Sequence, residues 1–182
     1  MDGKTVQGVP GGLHLLATYA HQTQVVLAQE AVDHKENEIK AAPRVLQTLQ
    51  LQDRVVTGDA MLAQRSLSRQ VVAAGGDYFW VVKDNQPTLR ADIARLFAEP
   101  PFGEVFDHVE DRSQHGGRKE VRRWWSSTPL KDYLQWPQVG QVCQLEREEE
   151  DQPGTKLCYY QSNPPTSRCQ AITGTLAGPL AY

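Results

Sequence analysis

The chain has 182 residues, 40% of them hydrophobic and 23% charged, with a formal net charge of −3. Length and balance suit one globular domain of common size, and no run of about 18 apolar residues exists to span a membrane. The weakly acidic charge argues against a protein that binds nucleic acid over its whole surface. Residues 1–10 lack the apolar stretch of a secretory signal. Cys143, Cys158 and Cys169 form no Cys-x-x-Cys pair, which points to a reducing cytoplasm rather than a disulfide framework or a zinc site.

In chain order, apolar runs at Leu13–Ala20 and Gln24–Val32 flank His21-Gln22-Thr23 and predict a β-hairpin with a short polar loop. Ile39, Ala42, Val45, Leu46 and Leu49 recur at the spacing of one helical face, with Pro43 expected early in that helix, where a missing N–H costs little. Arg54–Thr57 predicts a short buried strand ending at Gly58-Asp59. Ala60, Ala63, Leu67, Val71 and Ala74 then predict a second helix, stopped by Gly75-Gly76. Tyr78–Val82 has the strongest strand composition in the chain. Pro87 opens a third helix with Leu89, Ile93, Leu96 and Phe97 on one stripe. Strands interleaved with helices imply an α/β fold with a partly parallel sheet.

After Pro100-Pro101 the pattern changes. Glu104–Glu110, Lys119–Ser126, Val139–Arg147 and Lys156–Gln161 predict strands separated by polar turns, a β-rich subdomain. Residues 163–182 contain one charge, Arg168, and are dominated by Pro, Gly, Thr and Ala, a composition expected to be poorly ordered. The expected division is a core at 1–100, a β-rich insertion at 101–162 and a tail at 163–182.

Asp2 precedes Gly3-Lys4, and Asp59 stands just past the strand Arg54–Thr57. Carboxylates at strand ends of an α/β sheet point into the crevice where ligands bind. Two from neighbouring strands can share Mg²⁺ or Mn²⁺, hard ions that favour oxygen ligands and leave room for phosphate. Aspartates beside glycines are also common turn and cap residues, so spacing leaves both readings open. Lys83, Asn85 and Gln86 follow the Tyr78–Val82 strand, either to contact a DNA phosphate or, for Asn85 and Gln86, to cap the next helix. Lys4 is a phosphate-steering candidate or a loop lysine. From Arg112 to Arg123 five basic residues (Arg112, Arg118, Lys119, Arg122, Arg123) face one acid, Glu120. That run is a DNA-binding candidate or solvated hairpin surface. Trp124-Trp125 beside it could stack a base or pack the β-rich part with one indole on each face. His21 reads as a turn residue and Glu38 as a first-turn helix acid.

Asp2-Gly3-Lys4-Thr5-Val6-Gln7-Gly8 resembles the first-aspartate motif of H-repeat-associated (ISAs-type) insertion-sequence transposases. Ordered resemblances follow at Ala20-His21-Gln22, Lys35-x-Asn37-Glu38-Ile39 and Val55-Val56-Thr57-Gly58-Asp59-Ala60. They continue at Gly75-Gly76-Asp77-Tyr78, Lys83-Asp84-Asn85-Gln86-Pro87, His115-Gly116-Gly117-Arg118 and Trp136-Pro137. The resemblance implies a DDE transposase: an RNase H-like (retroviral-integrase-like) fold, Asp2 and Asp59 as the first two metal-binding and catalytic carboxylates, and Mg²⁺ or Mn²⁺. It further implies DNA as partner (transposon ends and target), in-line phosphoryl transfer, and a homo-oligomer or a full-length transposase as a further partner. The family's third carboxylate, in a motif resembling His-Trp-x-x-Glu, has no counterpart in residues 163–182, which hold no Asp or Glu. The expectation is a chain truncated at both ends, lacking most of its first strand, with an out-of-frame tail. Two functions follow: a strand-transferring enzyme, or a catalytically defective remnant that at most binds DNA or full-length transposase.

Overall fold

A computed structural model describes residues 1–6, 13–33, 36–115, 118–130, 134–149 and 152–163. The chain forms two compact units, Met1–Trp80 and Val81–Tyr182. The tail reading falls outside the described residues.

In the first unit the segment after Asp2, read from sequence only as a motif, is a strand. β1 (Asp2–Val6) pairs antiparallel with β2 (Leu13–Ala20), from Asp2 opposite Ala17 to Val6 opposite Leu13. The expected hairpin is β2 with β3 (Val25–Val32), bulged at Thr18/Tyr19. Gln24 closes its turn at φ 55°, its N–H donating to the Ala20 carbonyl at 2.8 Å. β4 (Val55–Gly58) and β5 (Asp77–Val82) run parallel, with Val55 opposite Asp77 and Gly58 opposite Trp80.

Helix α1 (Glu38–Gln47) starts at Asn37, whose side chain accepts from Lys40 N–H, and buries Ala41, Ala42, Val45 and Leu46. Pro43 is its sixth residue, not a first-turn one. It therefore removes the N–H that Ile39 carbonyl would accept. The helix tolerates this because α1 packs on β2 and β3, and packing of an apolar face outweighs one ladder bond. The predicted 60–74 helix is also interrupted. Ala60–Leu62 forms a 3₁₀ turn, Ala63 leaves helical geometry at ψ 77°, and α2 runs only from Arg65 to Ala73. Its end is as expected: Gly75 adopts φ 75°, its N–H bonds Val72 carbonyl, and Gly76 N–H bonds Val71 carbonyl. That is a Schellman stop, which needs a left-handed residue.

In the second unit α3 (Pro87–Ala98) buries Leu89, Ile93 and Leu96 against β8 (Gln141–Glu149) and β9 (Gln152–Ser162). With β6 (Asp107–His115) and β7 (Arg118–Ser127) these strands form an antiparallel meander in the order β6-β7-β8-β9. β6 lies further along than its composition predicted. Its polar half is held by pairing, Asp111 to His115 lying opposite Arg122 to Arg118, and ladder partners override weak strand propensity. Trp124 is buried against Tyr160, ring centroids 5.2 Å apart, while Trp125 stands on the other face, stacked on His108 at 5.0 Å. The alternation of a pleated strand does this. Among the described residues no helix is long and apolar enough to cross a membrane.

Candidate metal and DNA site

Asp59 is placed by the close packing just before it. Gly58 is the last residue of β4 and lies against Trp80: a Cβ there would stand 2.9 Å from Trp80 Cζ3 and 3.0 Å from Leu62 Cδ1. Both neighbours are fully buried and have little room to yield. Gly58→Ala is therefore expected to cost about 1–3 kcal/mol by overpacking, read as a lower urea midpoint.

At the next residue the chain turns at φ −69°, ψ 177° into the 3₁₀ turn. Asp59 Oδ1 accepts from Met61 N–H at 3.1 Å and Leu62 N–H at 3.3 Å. Both bonds use Oδ1, so Oδ2 is the oxygen this carboxylate can turn to a cation. The cap reading and the ligand reading of Asp59 are thus compatible.

Asp2 is exposed at the start of β1. The Met1 ammonium donates to the Thr57 carbonyl of β4 at 2.6 Å, tying the head of β1 to the end of β4. Burial pulls the pKa of that ammonium below its ordinary 8.0, and the charges of Asp2 and Asp59 both act to raise it. Sequence order put these aspartates 57 positions apart; the Met1–Thr57 hydrogen bond sets the head of β1, which carries Asp2, beside the end of β4, which Asp59 follows. The donor chemistry fits a divalent ion, because two carboxylates supply hard oxygens and negative potential. Among the described residues no third His, Cys, Asp or Glu gathers with them.

Glu38 reaches β1 from the other side. A Cβ built on Gly3 would land on the Glu38 carboxylate, and Gly3 alternates with Asp2 across the strand. Glu38 Oε1 lies 2.7 Å from His14 Nε2, with the two side chains 13% and 35% exposed. His14 went unremarked in the sequence, since nothing in a 24-residue separation signals the contact. Glu38 does open α1, as a first-turn acid should.

Of the DNA-binding candidates, Lys4 is exposed and falls on the Asp2 side of β1 by alternation. Lys83 and Asn85 are exposed in the turn before α3. Gln86 is the N-cap residue of α3, but its side chain makes no cap bond; Pro87 at the first helical position already lacks one of the N–H groups a cap would satisfy. Lys119 is exposed on β7, and the Arg118 side chain lies outside the described residues.

Arg122 and Arg123 are committed to carboxylates. Arg122 donates to Glu120 at 2.6 and 3.0 Å, with side-chain exposures of 10% and 12%. Arg147 contacts Glu120 and Glu149. Arg123 donates to Glu110 at 2.8 Å and lies 3.0 Å from Glu148. Partners on β6 and β8 make the run a Glu–Arg lattice, which no count along β7 alone could reveal. Burial raises the Glu120 carboxyl, but the hydrogen bond and charge of Arg122 and the charge of Arg147 outweigh it and hold the pKa below 4.5. A carboxylate depressed on folding stabilises above its unfolded value and loses that contribution as pH falls through the folded one. Unfolding of the wild type is therefore expected to grow easier as pH drops below about 4.5, and less steeply in Glu120→Gln, checked by denaturant midpoints between pH 7 and pH 3.

Residues 3–159 match the transposase DDE domain family. The chain is 35% identical to an uncharacterised protein from the dhlA 3′ region of Xanthobacter autotrophicus, over 82% of this chain and 54% of that one. It is 29% identical to the H repeat-associated protein YhhI of Escherichia coli (strain K12), over 90% of this chain and 48% of that one. It thus spans about half the length of these relatives. A cryo-EM structure of piggyBac transposase in a synaptic complex with hairpin DNA shares 11% identity over 90% of this chain and 30% of that one, at a TM-score of 0.43, too slight a likeness to carry an argument. The family match covers most of the sequence: the chain belongs to the DDE transposases, with the mixed α/β, RNase H-like fold of that family and H repeat-associated, ISAs-type relatives.

Proposed function

We propose that this chain carries the first two catalytic carboxylates of an insertion-sequence transposase, Asp2 and Asp59, and that together they hold Mg²⁺ or Mn²⁺ for cleavage and joining of DNA. The supporting observation is the hydrogen bond from Met1 N to the Thr57 carbonyl at 2.6 Å, which sets the head of β1, where Asp2 stands, beside the end of β4, which Asp59 follows. Bound there, a divalent ion would stabilise charge developing on phosphate oxygens. The protein's part is to orient. Asp59 Oδ1 stays on the 3₁₀ turn and holds the carboxylate in place for its second oxygen to bind.

Lys4, Lys83 and Lys119 are exposed amines suited to phosphate contacts, with Asn85 and Gln86 beside Lys83; Arg118 adjoins Lys119 in sequence. Arg122 and Arg123 serve the lattice first, so their contribution to DNA affinity is smaller than their charge implies. Residues 1–100 act as the catalytic core and 101–162 as the insertion. The protein works in the bacterial cytoplasm, on transposon ends and target DNA, with a second copy or a full-length transposase as partner.

A second reading has an observation in its favour. Residues 163–182 hold no Asp or Glu, and no third ligand gathers with the pair among the described residues. These 182 residues by themselves then bind metal and DNA but do not cleave. Incubation with Mg²⁺ and DNA bearing the insertion's ends is expected to give no more nicking than Asp59→Asn gives. Nicking that this substitution abolishes would overturn the defective reading and establish an active nuclease.

A further inference from the structure

We infer that Glu38, held by His14, is a positioning residue for the Asp2 strand. It acts from the face of β1 opposite the metal and sets where the Asp2 carboxylate stands relative to Asp59. This rests on the two-carboxylate metal site proposed above.

Three observations converge. First, Gly3 stands beside Asp2 in β1, and only a residue without Cβ lets the Glu38 carboxylate lie against the strand there. Second, that carboxylate is not a mobile surface group: its side chain is 13% exposed and it is fixed to His14 on β2 at 2.7 Å. His14 is opposite Thr5, so the clamp spans β1 and β2. Third, the helix that presents Glu38 is itself anchored. Asn37 caps it, Arg44 donates to Glu30 of β3 at 3.0 Å and to Glu36 at 2.8 Å, and α1 packs on β2 and β3. α1 thus reaches the Asp2 strand through the Glu38 side chain, set on an anchored helix. Residues behind a metal ligand orient it, and their loss typically weakens metal affinity about 10–100-fold.

The test is Mn²⁺ binding to the 182-residue chain, followed by electron paramagnetic resonance, with amide resonances of the metal-free chain as a second readout. Glu38→Ala is expected to weaken Mn²⁺ about tenfold and to move the Asp2 and Gly3 amide resonances while those of α3 stay. Gly3→Ala should do the same by displacing the carboxylate from the strand. Glu38→Gln, which keeps an oxygen for His14, should restore near wild-type binding. Wild-type affinity in Glu38→Ala, with Asp59→Asn abolishing binding, would overturn the positioning role and leave the metal site standing. Wild-type affinity in Asp59→Asn would overturn the metal site and this inference with it. Should Glu38→Ala fail to fold, Gly3→Ala decides: tenfold weakening supports the role, and unchanged affinity overturns it.

Discussion

Trp80→Ala is expected to cost about 3–5 kcal/mol, the largest single-residue loss of stability in the first unit. The indole is fully buried, and its removal forfeits both transfer free energy and the contacts lining the cavity. It stacks on Tyr78 at 5.9 Å with planes 10° apart, and that phenol is itself buried so deeply that its pKa is pushed up. Trp80 Nε1–H donates to Ser68 Oγ at 2.9 Å, and the Ser68 hydroxyl donates to Gln64 carbonyl at 3.0 Å. Trp80→Phe keeps most of the apolar volume but removes the donor to Ser68. It should therefore cost roughly 1–3 kcal/mol, the range for disturbing a buried hydrogen bond. Urea unfolding followed by circular dichroism would order the three proteins. An alanine variant within 1 kcal/mol of wild type would show that the unit does not depend on this layer. Because Gly58 packs on the same indole, Gly58→Ala and Trp80→Ala should add to less than their sum: with the ring gone, the Cβ at residue 58 is left with only its Leu62 contact to relieve.

Asp59→Asn is expected to separate the capping role of that side chain from the metal binding proposed for it. Asparagine caps a helical turn about as well as aspartate does, so the unfolding midpoint should stay close to wild type. The charge a divalent ion needs is lost, and Mn²⁺ affinity should fall by more than the roughly 10–100-fold typical of residues behind a ligand. Asp59→Ala should lose metal equally and add about 0.5–2 kcal/mol of instability from the missing cap. A calorimetric titration beside a thermal melt distinguishes these outcomes. Equal destabilisation by Asn and Ala would show that the carboxylate's charge, not its capping geometry, holds the turn.

Local pattern carried much of the fold. The stripe through Val45 and Leu46, the Gly75-Gly76 stop and the apolar run at Tyr78–Val82 each encode their element within a few residues, because helix period, left-handed backbone and burial are short-range properties. Two of the three errors came where the deciding partner was distant, and the first was local. The 60–74 helix breaks because Asp59 caps a separate 3₁₀ turn, and helical periodicity does not register one non-helical residue such as Ala63. Pro43 sits mid-helix because packing on the sheet outweighs one lost bond. The polar half of β6 is a strand because β7 pairs it.

The same division runs through the site. The sequence by itself determined the family, through ordered motifs, and named Asp2 and Asp59, because chemistry-bearing residues keep their neighbours along the chain. Tertiary structure decided what surrounds those residues. It joined the head of β1 to the end of β4 through the Met1–Thr57 hydrogen bond, set Glu38 and His14 behind Gly3, and turned a basic run into a lattice by placing glutamates across the strands. Charge and coordination depend on distances of a few ångströms between residues far apart in sequence, and only folding sets those distances.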